Sequence, residues 1–191
     1  MKKLLLAAAI VAGSSSSALA QSNVVKVNII SPLVKTGSFF FEHKLNDNSS
    51  VQLGALVTSW KIEDTRFSGF AITPEYRFYL SEKNPAPNGF YVGPFLRYQN
   101  LTVTDKFTYG DTNGSMQTEE VEAKLNTIGG GVVVGRQWIF KERFALDIFL
   151  GPSYNTGDLK VQTTGTDPET FDADTFLGFG IRTGITFGIA F

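Results

Sequence analysis

Read by twos, the stretch from Leu177 to Phe191 separates into two chemically different sets. Odd positions hold Leu177, Phe179, Ile181, Thr183, Ile185, Phe187, Ile189 and Phe191, and even positions hold Gly178, Gly180, Arg182, Gly184, Thr186, Gly188 and Ala190. A period of two places alternate side chains on opposite faces of a strand, so one face is apolar and the other small or polar. The same split recurs upstream. Phe70, Ile72, Pro74, Tyr76, Phe78 and Leu80 alternate with Ala71, Thr73, Glu75, Arg77 and Tyr79; Phe90, Val92, Pro94, Leu96 and Tyr98 with Tyr91, Gly93, Phe95, Arg97 and Gln99; Phe144, Leu146, Ile148 and Leu150 with Ala145, Asp147, Phe149 and Gly151. The apolar sets are expected to face lipid and the others a lumen, because strands of about ten residues cross a bilayer with this alternation.

Eight extended segments follow from this pattern, over 24–31, 38–45, 50–62, 66–80, 89–104, 123–140, 143–155 and 175–191, and none has a helical period. The predicted fold is all-β, an eight-stranded antiparallel up-and-down transmembrane β-barrel. Arg136 interrupts the pattern by sharing the parity of Val132, Val134 and Trp138. Either it snorkels near an interface or a bulge at Gly129-Gly130-Gly131 resets the phase. Pro74, Pro94 and Pro152 cost ladder donors and are candidate bulges. Tyr76, Tyr98, Trp138 and Tyr154 suit aromatic girdles at the headgroups.

Loop lengths set the topology. The turns at Leu45–Ser50 and Phe140–Arg143 are short, Ser81–Gly89 is longer and fixed by Pro85 and Pro87, and 104–124 and 155–175 are long and acidic. Outer-membrane barrels keep short turns on the periplasmic side, so both termini are expected in the periplasm.

The start of the chain agrees with that address. Lys2 and Lys3, the apolar run Leu4–Ala12 and Ala18-Leu19-Ala20 read as an export signal over 1–20, leaving 21–191 as one barrel domain. No later run of about 18 apolar residues provides a helical anchor. The absence of cysteine excludes disulfides, thiolate metal sites and a lipid-modified amino-terminal cysteine. With 17 basic against 18 acidic residues there is no footprint for nucleic acid. The 17 phenylalanines and 19 glycines suit an aromatic exterior and a narrow interior.

The mature chain resembles the small eight-stranded outer-membrane barrels, such as the OmpX-like and OmpA-like transmembrane domains. Val25-Lys26-Val27-Asn28, Phe41-Glu42-His43, Ser50-Val51-Gln52-Leu53 and Gly93-Pro94-Phe95-Leu96-Arg97-Tyr98 are similar to an uncharacterised outer-membrane barrel family common in Bacteroidota, a domain of unknown function. Phe191 resembles the carboxyl-terminal signal read by the barrel assembly machinery. The resemblance implies the cell outer membrane as location, its lipids and lipopolysaccharide as surroundings, and the assembly machinery as a partner during biogenesis. It implies no activity.

Candidate chemistry lies on the inward parity, where Lys26, Glu42, Lys44, Glu75, Arg77, Arg97, Asp147 and Arg182 carry both signs. Buried charges persist when paired, so these residues are expected to cross-link a filled lumen. The alternative is a narrow conduit or pocket in which Arg77, Arg97 and Arg182 attract an anion. His43, the only histidine, is the side chain suited to proton transfer near neutral pH. Some eight-stranded barrels modify lipid A with a histidine, a serine and a carboxylate at the outer leaflet, but His43 sits beside the short turn 45–50 and Ser49 and Ser50 belong to that turn. Asp105, Asp111, Glu119, Glu120 and Glu122, then Asp158, Asp167, Glu169, Asp172 and Asp174, make the outer loops acidic. Asp111-Thr112-Asn113-Gly114 departs from a calcium loop, because its glycine comes fourth and no matched glutamate closes the ring. The run Gly129-Gly130-Gly131 lacks the ending of a phosphate loop and is expected to make room for Phe95 or Phe149.

Four readings therefore compete. The first is a non-enzymatic outer-membrane barrel, structural or acting through its exposed loops, with an unidentified protein partner if it is an accessory subunit. The others are a small-solute channel, a lipid A-modifying enzyme, and a soluble lipocalin-like barrel with its faces inverted. No cofactor or metal is expected.

Overall fold

A computed structural model describes residues 22–62, 65–81, 84–110, 116–161 and 177–191. Eight antiparallel strands close into one barrel in chain order. They are β1 (Asn23–Asn28), β2 (Thr36–Asn46), β3 (Ser49–Ile62), β4 (Thr65–Tyr79), β5 (Gly89–Gly110), β6 (Met116–Phe140), β7 (Phe144–Val161) and β8 (Gly178–Ala190). Pairing of β1 with β8, from Val24 opposite Ala190 to Asn28 opposite Thr186, completes the ring. The Asn23 N–H donates to the Phe191 carbonyl at 3.0 Å, and the Phe191 N–H donates back at 2.9 Å. Closure pairs the two terminal strands over the half of β8 nearest the chain end, where a sheet in hydrocarbon needs its edge covered; Gly178–Gly184 of β8 pair with β7 alone.

The two faces fall as the alternation predicts. On β4, Phe70, Ile72 and Phe78 are exposed while Ala71, Thr73, Glu75, Arg77 and Tyr79 are buried; on β8, Phe179, Ile181 and Phe187 are exposed while Arg182, Thr186 and Ala190 are buried. The wall is apolar outside and charged inside. A lipocalin has the opposite arrangement, so that reading is overturned.

Three local expectations are corrected. Register between β5 and β6 is unbroken from Gly89 opposite Gln137 to Gly110 opposite Met116, so the triple glycine makes no bulge and Arg136 stays on the outer face. Pro74, Pro94 and Pro152 also lie in unshifted register, facing Leu53, Val132 and Ile181. A strand N–H points to one neighbour only, so a proline interrupts one ladder and leaves the other intact. Pairing is skipped on the opposite side, between Ile72–Tyr98 and Glu75–Phe95, between Glu75–Phe95 and Phe78–Val92, and between Gly131–Ser153 and Val134–Leu150. The register does shift between Lys44 and Asn46, beside the first short turn. Finally, the expected loop 104–124 is largely strand, since β5 and β6 pair out to Gly110 and Met116, and β7 extends to Val161 opposite Ala123. Thr102, Val103, Thr104, Thr108 and Tyr109 are β-branched or aromatic residues that favour strand irrespective of polarity.

At the same end, β1 stops at Asn28 instead of running to residue 31. The Asn28 Oδ1 accepts from the Ile30 and Ser31 N–H groups at 2.9 and 3.2 Å, an Asx turn that starts a short 3-10 helix at Ser31–Val34. Lys35, with φ of 52°, ends it.

The lumen is filled in layers. Val24, Ala145, Ala190 and Ile139 pack together at the end that holds the termini and short turns. Phe40, Tyr79, Ala86, Tyr91, Phe95, Val133 and Phe149 form a second cluster, and Leu101, Val103 and Leu125 with Phe67 and Leu177 a third at the long-strand end. Glycine supplies the space for the rings. A methyl at Gly135 would lie 2.5 Å from the Tyr91 ring, one at Gly184 2.6 Å from Phe149, and one at Gly131 3.1 Å from Phe95. The turn between β4 and β5 folds across the opening at the turn end. There the Ala86 N–H donates to the Asp47 carbonyl at 2.8 Å, and the Pro87 carbonyl accepts from Gln137 Nε2 at 2.7 Å.

Candidate functional site

Five strands bring one ion network into the lumen, because on each of them the charged residue falls on the inward parity. Lys26 of β1 places its Nζ 2.6 Å from Glu42 Oε2 on β2, 2.5 Å from Gln137 Oε1 on β6 and 3.1 Å from Asp147 Oδ2 on β7. Arg77 of β4 reaches the same carboxylates, with Nη1 3.2 Å from Glu42 Oε2 and 2.9 Å from Asp147 Oδ2, and its Nε 2.7 Å from Glu75 Oε1. Arg182 of β8 pairs with the other oxygen of Glu75. Three cations thus meet three carboxylates.

Neutral donors take the other oxygens of Glu42 and Asp147. Ser50 Oγ and Tyr79 Oη donate to Glu42 Oε1 at 2.6 and 2.7 Å, and Tyr91 Oη donates to Asp147 Oδ1 at 2.9 Å. The Arg77 guanidinium lies 4.1 Å above the Tyr91 ring, and that of Arg182 lies over Phe95 and Phe149 at 4.5 and 4.8 Å. The side chains of Lys26, Glu42, Arg77 and Asp147 are 0% exposed. A buried ion cluster is tolerable only with this degree of mutual pairing and hydrogen bonding.

Six of the eight expected charges, Lys26, Glu42, Glu75, Arg77, Asp147 and Arg182, therefore share one cluster. Lys44 and Arg97 do not. The register shift after Lys44 ends its strand pairing at the rim, and its ammonium turns to Asp47 in the adjacent turn, 2.6 Å away. Arg97 shares a lumen level with Gly129, its partner in register, and Glu75 is already engaged by Arg77 and Arg182. Among the described residues its Nε finds no hydrogen-bond partner.

Gln137, Ser50, Tyr79 and Tyr91 belong to the cluster but were not expected there. Parity alone puts them inside, and buried hydroxyls and amides require partners, but they carry no formal charge.

His43 is exposed on the outer face, its Nδ1 2.8 Å from Asn23 Oδ1. Neither a serine nor a carboxylate is hydrogen bonded to it among the described residues. Phe191 is part-exposed beside Asn23 at the barrel seam. Of the acidic loop residues, Glu122 binds Lys124 at 2.7 Å and Asp158 is exposed. The side chains of Asp105, Asp111, Glu119, Glu120, Asp167, Glu169, Asp172 and Asp174 lie outside the described set, as does the export signal. No group of metal-ligating side chains occurs among the described residues. Chemically, the cluster is a cross-brace: its charges pair with one another, Arg182 alone keeping a little exposure.

The profile of a family described as a protein of unknown function, DUF3575, matches residues 4–164. No curated protein matches the chain. Among solved structures, the N-terminal β-barrel domain of Pseudomonas aeruginosa OprF is similar over 90% of this chain and 98% of that one, at 12% identity and a TM-score of 0.38. Acinetobacter baumannii CarO is similar over 93% of this chain and 99% of that one, at 10% identity and a TM-score of 0.46.

Proposed function

The chain belongs to the DUF3575 family, and from that premise we propose that it is an integral outer-membrane barrel that neither conducts solutes nor catalyses a reaction. Its role is structural, or is exerted through the loops at the long-strand end. The observation that carries this reading is the combination of an apolar outer wall with a lumen crossed by fully buried ion pairs. The wall matches a hydrocarbon slab. The brace, the rings at Phe95 and Phe149 and the Leu101 cluster fill the lumen through which a solute would pass.

In this reading the termini and short turns are periplasmic, and the extended β5–β6 hairpin projects outward among lipopolysaccharide, where an unidentified protein partner would also meet it. The barrel assembly machinery handles the chain during biogenesis.

The test is reconstitution. Protein folded into planar bilayers should give no discrete conductance steps, and in cells it should resist extraction by carbonate. Steady conductance would replace this reading with the channel. Release by carbonate would remove it from the membrane, and a change in lipid A mass on expression would make it an enzyme.

A further inference from the structure

The outer wall of a hydrocarbon-facing barrel should carry no bare cation, yet Arg136 is exposed there between Val134 and Trp138. Its guanidinium lies 4.5 Å from the ring of Phe90 and 4.9 Å from that of Trp138. Two rings fix its position, and among the described residues no carboxylate pairs with it. Beside it runs a groove of about 840 Å³ on the outer face, walled by Leu80, Val92, Val134, Ile148 and Leu150. The turn below it exposes Lys141 and Arg143 on either side of Glu142, so the local charge stays positive.

Taking the membrane reading as given, we propose that Arg136 and this groove bind one phospholipid of the periplasmic leaflet, the phosphate on the guanidinium and an acyl chain along the aliphatic wall. The two parts of the site match the two parts of the ligand. A guanidinium forms paired hydrogen bonds with phosphate oxygens, and a cation a few residues from the turns reaches headgroup depth by snorkelling. Stacking on Phe90 and Trp138 pre-orders the side chain, so binding costs little rotamer freedom.

Wild-type and Arg136→Gln proteins, both shown to be folded by heat-modifiable migration, would be reconstituted in vesicles of equal parts dioleoylphosphatidylglycerol and digalactosyl dioleoylglycerol. The second lipid has the same chains and no phosphate. After mild detergent extraction, native mass spectrometry counts the lipids retained. The wild type should retain the phospholipid over the galactolipid about fivefold, the worth of one cation near a headgroup; Arg136→Gln should lose that preference, and Arg136→Lys should keep part of it. Equal ratios for wild type and Arg136→Gln in inserted protein overturn the site alone. A wild type that fails to enter the vesicles overturns the membrane reading and the site with it.

Discussion

Arg77 on β4 donates to Asp147 on β7 at 2.9 Å, across the width of the barrel and with neither side chain exposed. The same guanidinium serves Glu42 and Glu75, so its removal uncovers three carboxylates with only Lys26 and Arg182 left to balance them. Arg77→Met should cost about 3–5 kcal/mol, as for other broken buried pairs. Reversible urea unfolding in lipid vesicles measures this. A loss under about 1 kcal/mol would mean that the cluster braces nothing.

Gly135 makes a different demand on the same layer. A methyl group there would meet the Tyr91 ring at 2.5 Å, and Tyr91 is the residue whose hydroxyl holds Asp147 Oδ1. Gly135→Ala should therefore act as an overpacking change and destabilise by about 1–3 kcal/mol. The Tyr91→Phe variant, which removes the hydroxyl and keeps the ring, should cost about 1.5–3 kcal/mol, the range for a hydrogen bond to a charged group. A loss under about 0.5 kcal/mol for Gly135→Ala would show that the ring has room to move and that this layer is loosely packed.

The alternation made the barrel and its faces legible, because a period of two survives even where prolines interrupt one ladder. Charge parity located Lys26, Glu42, Glu75, Arg77, Asp147 and Arg182, yet it could not show that Lys44 would turn back to Asp47. That depends on a one-residue register shift. Nor could it show that Arg97 would find no carboxylate partner among the described residues, which depends on the stagger between strands. Polar composition hid the extension of β5 and β6, since residues outside the hydrocarbon need not be apolar to pair. The tucked Ala86–Pro87 turn is invisible in sequence because its anchor, Gln137, lies 50 residues away.

If the lumen is closed by this brace, neutralising it with small residues should open it. A combined Lys26→Ser, Glu42→Ser, Arg77→Ser, Asp147→Ser variant removes every pair made by Lys26 and Arg77 and leaves Glu75 paired with Arg182, so no member of the cluster is left as an unpaired buried charge. Folded into planar bilayers, it should pass small ions where the wild type passes none. A quadruple variant that is heat-modifiable and still silent would place the seal in what remains, the Glu75–Arg182 pair with the Phe95–Phe149 layer or the Leu101 cluster.

His43 faces outward and its Nδ1 is engaged by Asn23. Its replacement by alanine should change stability by no more than about 0.5 kcal/mol, the usual range for an exposed site. Lipid A from cells expressing His43→Ala and wild type should be identical by mass. A mass difference that depends on His43 would reinstate the enzyme reading.

Phe191 has two separable contributions. Its main chain exchanges hydrogen bonds of 2.9 and 3.0 Å with Asn23, closing the seam between the first and last strands. Its part-exposed ring is the feature that resembles an assembly signal. Phe191→Ala keeps both main-chain bonds, so in vitro folding into vesicles should proceed and stability should change by less than about 1 kcal/mol. Deleting Phe191 removes both bonds and should cost about 1–3 kcal/mol. In cells the order should change: if the ring is read by the assembly machinery, Phe191→Ala and the deletion should both reduce the heat-modifiable barrel in the outer membrane several-fold. Normal assembly of Phe191→Ala in cells, with a loss for the deletion alone, would leave Phe191 as a seam residue whose side chain carries no signal.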